Sequence, residues 1–479
     1  MPRKLEMDMT SGGLFKKIVV YAVPLILANW LQLLFNAADV MVVGKFVGDN
    51  AVAAVSSNTS LINLIIGLFI GVSVGSNVMV ARSIGENNAE RVKRFVGLSV
   101  VLSIGVGVVL LIVGVLCART FLTWMGCDPA VIEMATKYLT IYCIGLPVIM
   151  LYNFCSAILR AAGDTLRPLI FLVVAGVINV VLNIVLVTAF GMDVDGVAIA
   201  TVVSQGVSAL LCVIVLAKNK GICNLSFKYM RIYGKELKEI IHIGIPSGIG
   251  SCMFHLSNVV IQSTINSFGA AAMSGNGYAQ QLEGFVYHAM YGFALTVTSF
   301  VSQNLGAGKI DRIKRATKQC VALAVGFGII FGGIFLLLAK PLLGYLAHDP
   351  QVVDIAVNRL LIIFPIYFLC GIMDNLSHAL RGLGKSVSVM IVSLAGACLF
   401  RILWIKTVFL LSPTLLTVYL SYPISWLLTL TVYIIWIVLY IKKLERTCGD
   451  TKAETPAESS TATAVETKAE TPADSSVRG

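Results

Sequence analysis

The sequence predicts an all-α integral membrane protein of twelve transmembrane helices arranged as two pseudo-symmetric six-helix lobes. Three observations carry that expectation: a composition too apolar for a soluble domain, span-length apolar runs along almost the whole chain, and an internal repeat that divides those runs six and six. Of 479 residues, 57% are hydrophobic and 13% charged, and the mean hydropathy is +0.87. Soluble domains are about half apolar and a quarter charged.

Apolar runs of about 20 residues, enough to cross ~30 Å of hydrocarbon as helix, fall at 18–43, 52–81, 92–118, 131–158, 167–189, 195–217, 238–265, 272–302, 314–339, 352–379, 386–405 and 414–441. Strand-period alternation is absent, so helices that satisfy their own backbone are expected rather than a barrel. Residues 1–17 are polar and mixed in charge, unlike a cleavable signal peptide, and read as a cytoplasmic N-terminus.

The net charge of +11 invites a nucleic-acid reading, but Lys and Arg gather in every second connection. Counted with the N-terminus inside, the inner segments hold 25 of them and the outer side seven: Lys45, Arg119, Lys137, Lys340, Arg359, Arg401 and Lys406. This is the positive-inside pattern of a multi-pass protein of the cell membrane with both termini cytoplasmic, and no nucleic-acid partner is expected. The eleven cysteines lie mostly within spans, lack metal-site spacing and read as small apolar packers.

The chain is written twice. "CDPAVIEMATKYL" (127–139) matches "HDPQVVDIAVNRL" (348–360), "GENNAERVKR" (85–94) matches "GAGKIDRIKR" (306–315), and "ILRAAGDT" (158–165) matches "ALRGLGKS" (379–386), all 221 residues apart. Pro24 and Asn36 match Pro246 and Asn258 at 222. Six spans per half is an even number, so both halves enter and leave on one side and are related by a pseudo-twofold along the membrane normal. The expected division is an N-lobe at 18–217, a basic cytoplasmic linker at 218–237, a C-lobe at 238–443 and a disordered tail at 444–479, where "TKAETPAESS" recurs as "TKAETPADSS".

The repeat also supplies a control, because residues that the scaffold needs recur in both halves. The intramembrane ionisable groups do not: Asp39 corresponds to Ile261, Glu283 to Ile62, His288 to Gly67, Asp374 to Asn153, His378 to Ala157 and His255 to Leu33. A charge at the bilayer centre costs roughly 2.5–3.5 kcal/mol on insertion scales and normally faces the bundle interior or water. In the first span Asn29, Gln32, Asn36 and Asp39 share one helix face. The seventh repeats the stripe with Ser251, His255, Asn258, Gln262 and Asn266, the eighth offers Gln280, Glu283, Tyr287 and Tyr291, and the tenth Asp374, His378 and Arg381. Two such lobes are expected to line a wet central cavity, with Gln32, His255, Asn258, Gln262, Glu283, Tyr287, His288, Asp374 and His378 as its substrate-facing residues. The competing reading of each is a satisfied structural group: Asp374 and His378 can pair with each other, and His255 and His288 can be packed core histidines. Gly67, Gly71 and Gly75 have the spacing of close helix packing, and Pro24, Pro147, Pro246 and Pro365 are expected to kink their spans.

Twelve spans in two halves, the aspartate in "FNAADVMVVGKFVG", the span 4 exit "ILRAAGDTLRP" and "INVVLNIVLVTAFGMDVDGVAIATVVSQ" (178–205) together resemble the multidrug and toxic compound extrusion (MATE) transporters over about residues 15–445. The resemblance implies a V-shaped antiporter that exports cationic or amphipathic small molecules, needs no cofactor, and is driven by H+ or Na+. It further implies a coupling-ion site made of Asp39 with Asn179 and Thr201, to which we add Asn36 from the same stripe and Asn183, which stands where many members carry Asp. No metal is expected beyond Na+ at Asp39, and the chain is expected to work as a monomer in the bilayer. The nearest rival is a flippase or exporter of a lipid-linked or other endogenous metabolite, which should show basic residues in its cavity. An intramembrane enzyme lacks support from any HExxH, GxSxG or Cys/His ligand spacing.

Overall fold

The structure, a computed structural model, describes residues 6–219, 221–347 and 349–453, and among them it is helical with no strand. The first half is α1 (Leu14–Phe46), α2 (Asp49–Gly85), α3 (Ala89–Trp124), α4 (Ile132–Ile144), α5 (Leu146–Ala161), α6 (Leu166–Thr188) and α7 (Val194–Lys218). The second half is α8 (Gly234–Asn266), α9 (Ala270–Gly306), α10 (Ile310–Leu337), α11 (Ala339–Leu346), α12 (Pro350–Ile363), α13 (Phe368–Gly382), α14 (Ser386–Ser393), α15 (Phe400–Lys406), α16 (Val408–Leu411) and α17 (Leu415–Ala453). A π-helical turn, Leu394–Leu399, joins α14 to α15.

Nine of these segments are long and apolar enough to cross a membrane, and the bent pairs α4–α5 (49°) and α12–α13 (53°) raise the number to eleven among the described residues. The bends fall next to Pro147 and Pro365, where a missing N–H and a ring clash break the ladder. The remaining expected span is α9. At 37 residues it is long enough, but it falls outside that set because it carries polar groups such as Asn276, Glu283, Ser299, Gln303 and Asn304, all of them buried. At the C-terminus α17 continues to Ala453, so 444–453 is helical rather than part of a disordered tail. The rest of that expected tail, 454–479, lies outside the described residues.

The repeat is written into the turns. Gly48 and Gly269, Asn87 and Gly308, and Gly163 and Gly384 all have positive φ and stand at the same offset of 221 residues. The two halves meet where α2 runs along α8 and α9 and where α1 runs along α9. Gly85 of α2 and Gly306 of α9, themselves repeat partners, make reciprocal contacts: a Cβ on Gly85 would lie 2.0 Å from Gln303 O, and one on Gly306 would lie 2.0 Å from Arg82 O. Gly71 likewise abuts Gly248, with a Cβ reaching 2.1 Å from its nitrogen.

Among the described residues, every hydrogen bond between helices of the two halves lies at or below one level. Tyr21 bonds Ser299, Asn77 bonds Ser299, and Gln303 donates to Ala161 O at the end carrying Gly85 and Ala161, which we call the inner end. The farthest are Trp30 Nε1 to Phe285 O and Cys252 Sγ to Leu64 O. Beyond them Gln32 and Asn36 on α1 and Leu256 and Val259 on α8 are exposed. Helix α1 is shared between the halves. From Leu14 to Trp30 it joins the hydrophobic core of α9, α10 and α13, and past Trp30 it packs on α6.

Candidate functional site

Asp39 lies nine residues beyond Trp30, about 13 Å farther along the helix, past the last hydrogen bond between helices of the two halves among the described residues. One turn earlier Phe35 fixes α1 on α6: its ring fills the notch at Gly176, where a Cβ would sit 1.8 Å from Cζ. On α6, Asn179 and Asn183 are one turn apart on the face that this notch presents to α1. Asn183 Nδ2 donates to Asp39 Oδ1 at 2.5 Å and to Asn179 Oδ1 at 3.3 Å. Asn179 Nδ2 donates to Thr201 Oγ1 at 3.4 Å, and that hydroxyl donates to Val197 O at 3.0 Å within α7. Neutral side chains thus link the carboxylate to α6 and α7.

Asn183 is fully buried and its Oδ1 has no partner. No basic side chain forms an ion pair with Asp39 among the described residues. The cluster offers only oxygen ligands: the carboxylate, two amide oxygens and a hydroxyl, the donor set that hard cations take. The structure brings Asp39, Asn179, Asn183 and Thr201 together; Asn36 is exposed on α1 and makes no side-chain hydrogen bond.

The second half differs from the cavity that the sequence suggests. Glu283 is buried and held by Arg359 at 2.6 Å through Nε and 2.8 Å through Nη2. It is an ion-paired carboxylate, with the geometry of a satisfied group and not of a free acid. Arg359 also bonds Asn276 and stacks 5.3 Å and 5.2 Å from the Tyr419 and Tyr422 rings. Asn276 passes the network to Gln262 Oε1 at 2.6 Å, which also accepts from Gln280 at 3.2 Å, while Gln262 donates to Asn266 at 2.9 Å. Asn258 accepts from Arg401 Nη1 at 3.1 Å. Arg359 and Arg401, assigned from sequence to the outer connections, are both buried within the bundle.

His378 is buried, pairs with Thr298 Oγ1 at 3.0 Å and approaches Arg381 at 3.4 Å. It borders a small pocket with Asn77, Arg160 and Ser299 at the inner contact between halves. His288 Nδ1 sits 2.7 Å from Gly284 O, and Tyr287 stacks on Tyr291 with centroids 5.8 Å apart. Asp374 is half-buried near Tyr287, and His255 is exposed opposite Gly67. Among the described residues no three His, Cys, Asp or Glu side chains gather to hold a metal.

Sequence reasoning missed Arg359, Asn276 and Arg401. The repeat held the signal for Arg359, which stands opposite Tyr138 and so carries a charge that the shared fold does not need.

Comparison with known proteins places this geometry in context. A model of the family described as MatE matches residues 24–185 and 246–405. The probable multidrug resistance protein YoeA of Bacillus subtilis is 29% identical over 397 residues, covering 80% of this chain and 85% of its own. An FAD transporter of Shewanella oneidensis is 24% identical over 377 residues, covering 77% and 82%. Among solved structures, the outward-facing conformation of a multidrug resistance MATE family transporter superposes with a TM-score of 0.84 at 22% identity, over 92% of this chain and 98% of the other.

Proposed function

The chain belongs to the MatE family, and from that premise we propose that it is a secondary multidrug efflux transporter of the cell membrane, with both termini cytoplasmic. It exports cationic or amphipathic compounds by antiport with H+ or Na+, opening alternately to the two sides. One observation carries the reading: a half-buried carboxylate, Asp39, without a basic partner, tied to another helix only through the neutral Asn183 and set beside an unpartnered amide oxygen.

A group so placed is neutralised from the open side either by a proton or by a small cation in the oxygen shell of Asp39, Asn179, Asn183 and Thr201. A hydrogen bond to a charged group contributes ~1.5–3 kcal/mol and a neutral one ~0.5–1.5. Neutralisation by a proton therefore loosens the tie between α1 and α6 by about 1 kcal/mol or more. Because α1 is anchored on the second half from Leu14 to Trp30 and on α6 at Phe35 and Asp39, that change falls on a helix that both halves share. It biases a two-state equilibrium by the difference in ion affinity between the two states. A cationic substrate competing for the same carboxylate is released when the ion binds.

The test is efflux from proteoliposomes under a pH gradient or a Na+ gradient, each alone. Asp39→Asn should abolish gradient-driven efflux with yield and melting temperature unchanged; full coupled activity in that variant removes Asp39 from the mechanism.

A second reading, export of an anionic endogenous metabolite, is favoured by Arg401. It is fully buried, stacks on Tyr422 at 4.6 Å and Phe254 at 5.4 Å, and among the described residues has no carboxylate at ion-pair distance and leaves Nη2 unpartnered. It lies one side chain behind Phe254 and Asn258 of α8. Counterflow of a flavin dinucleotide that is lost in Arg401→Gln, with no uptake of a cationic dye, would establish this reading over the first.

A further inference from the structure

Resting on the alternating-access reading above, we propose that residues 6–12 form a releasable strap that clamps the inner ends of the two halves, and that opening to the inner side requires its detachment. The strap precedes α1 and lies across both halves. On the second half, Met9 is fully buried; its N–H donates to Gln303 Oε1 at 3.2 Å, and its carbonyl accepts from Asn304 Nδ2 at 3.2 Å and Arg312 Nε at 3.0 Å. Arg312 also donates to Ser11 O at 2.6 Å and Gly12 O at 2.9 Å, and Lys309 to Thr10 O at 2.8 Å. On the first half, Met7 lies over Gly163 so closely that a Cβ there would be 2.3 Å from its carbonyl, and Glu6 accepts from Asn219 at 2.5 Å. Gln303 joins the three parts, since its Nε2 donates to Ala161 O.

The strap holds its own shape. Asp8 accepts from Thr10 N at 2.8 Å, from Thr10 Oγ1 at 2.7 Å and from the Ser11 hydroxyl, while Lys17 Nζ caps the carbonyls of Asp8 and Ser11. Partial burial pushes the Asp8 carboxyl up, but the bonds from Ser11 and Thr10 and the charge of Lys17 outweigh it and bring the pKa down to about 2.

The pseudo-twofold says what this segment is. The chain that precedes α8 crosses the first half as the strap crosses the second: Tyr229 O lies against Gly97 of α3, where a Cβ would be 2.3 Å away, and Arg94 stacks on Tyr233 at 5.4 Å. At the offset of 222 that holds over the first span, Met9 stands opposite Arg231, and the neighbouring Met230 packs against the first half's core. Arg91, the repeat partner of Arg312, reaches across to Glu239 of α8 at 2.6 Å. The crossing before α8 is covalently tethered to a helix at both ends, whereas the strap's contacts on the second half run through main-chain groups that water can replace. The strap is therefore the crossing that can let go.

The experiment places a reporter cysteine at the buried inner contact, Ser299→Cys, in the full chain, and follows its modification by a membrane-impermeant maleimide applied to the inner face of membrane vesicles, against the labelling of the native cysteines alone. Deletion of residues 2–12 should raise the rate at least about tenfold, the factor set by losing one charge-assisted hydrogen bond. Arg312→Gln in the full-length chain, which keeps the strap but removes its main holder, should raise it in the same direction; it also keeps the test decisive where the deletion impairs insertion. An unchanged rate in Arg312→Gln overturns the strap, whatever happens to efflux. The underlying alternating-access reading fails separately, if labelling of Ser299→Cys in the intact chain ignores an imposed pH gradient and an imposed Na+ gradient alike.

Discussion

Replacing Gly306 by Ala asks whether the inner contact is a working gate. Its ideal Cβ would lie 2.0 Å from Arg82 O and 3.0 Å from Glu86 N, both main-chain atoms of α2. Carbon approaches a carbonyl oxygen no closer than about 3.3 Å without strain, so one helix must retreat by more than ~1 Å. No flexible side chain stands at the contact to yield. Overpacking of this kind costs typically ~1–3 kcal/mol, and here the cost falls only on the state in which the inner ends touch, because each half keeps its own core. At a tenfold change per ~1.4 kcal/mol, the ratio of open to closed inner ends rises about 5- to 150-fold. Gly85→Ala should do the same, since its Cβ meets Gln303 O at 2.0 Å. Spin labels at Glu90→Cys and Asp311→Cys, exposed repeat partners on α3 and α10, would report the change as a longer population in the interspin distances. Gly333→Ala, facing open space, is the control and should leave the distribution alone. Distances unchanged in both Gly306→Ala and Gly85→Ala, in protein that folds, would refute the reasoning.

Other outcomes follow from the same contacts. Gly176→Val fills the notch that holds Phe35 and should lift α1 from α6, giving efflux that no longer responds to the driving gradient while the protein still inserts; coupling retained in that variant would count against the notch as the positioning device. Glu283→Ala strands Arg359 and should cost roughly 3–5 kcal/mol, seen as lower yield and melting temperature, whereas Glu283→Leu with Arg359→Met should recover most of it; a stable Glu283→Ala protein with selectively lost transport would return Glu283 to the transport path. Asn183→Leu removes the donor to Asp39 and the unpartnered oxygen, and should weaken the dependence of efflux on its driving ion by at least tenfold in half-saturating concentration. For Asp8 the pKa falls from 3.8 to about 2 on folding, so its contribution is complete above about pH 4 and is lost only as pH falls through 2. Asp8→Asn should therefore raise inner-face labelling equally at pH 5 and pH 8, and an effect confined to one of these would show another group at work.

The length of each apolar run and the repeat that pairs them fix most of the architecture, because a bilayer demands about 20 apolar residues per helix and closes the backbone locally. That is why the kinks at Pro147 and Pro365 and the close glycine packing at Gly71 were legible in the chain. The first-half cluster was legible only in pieces: the stripe singled out Asp39, while its partners Asn179, Asn183 and Thr201 came with the family resemblance. The pairing of Glu283 was not legible, because it depends on Arg359, 76 residues away on another helix. Within a span, composition reports that a charge is buried but not whether an opposite charge faces it. Pairing is a property of two helices in contact, and so is the strap, whose short polar sequence carries no sign that both halves would close over Met9. The chain by itself determined which segments are long and apolar enough to cross a membrane and how they repeat; only the tertiary contacts decided that Glu283 and Arg359 are spent on each other while Asp39 meets a neutral Asn183.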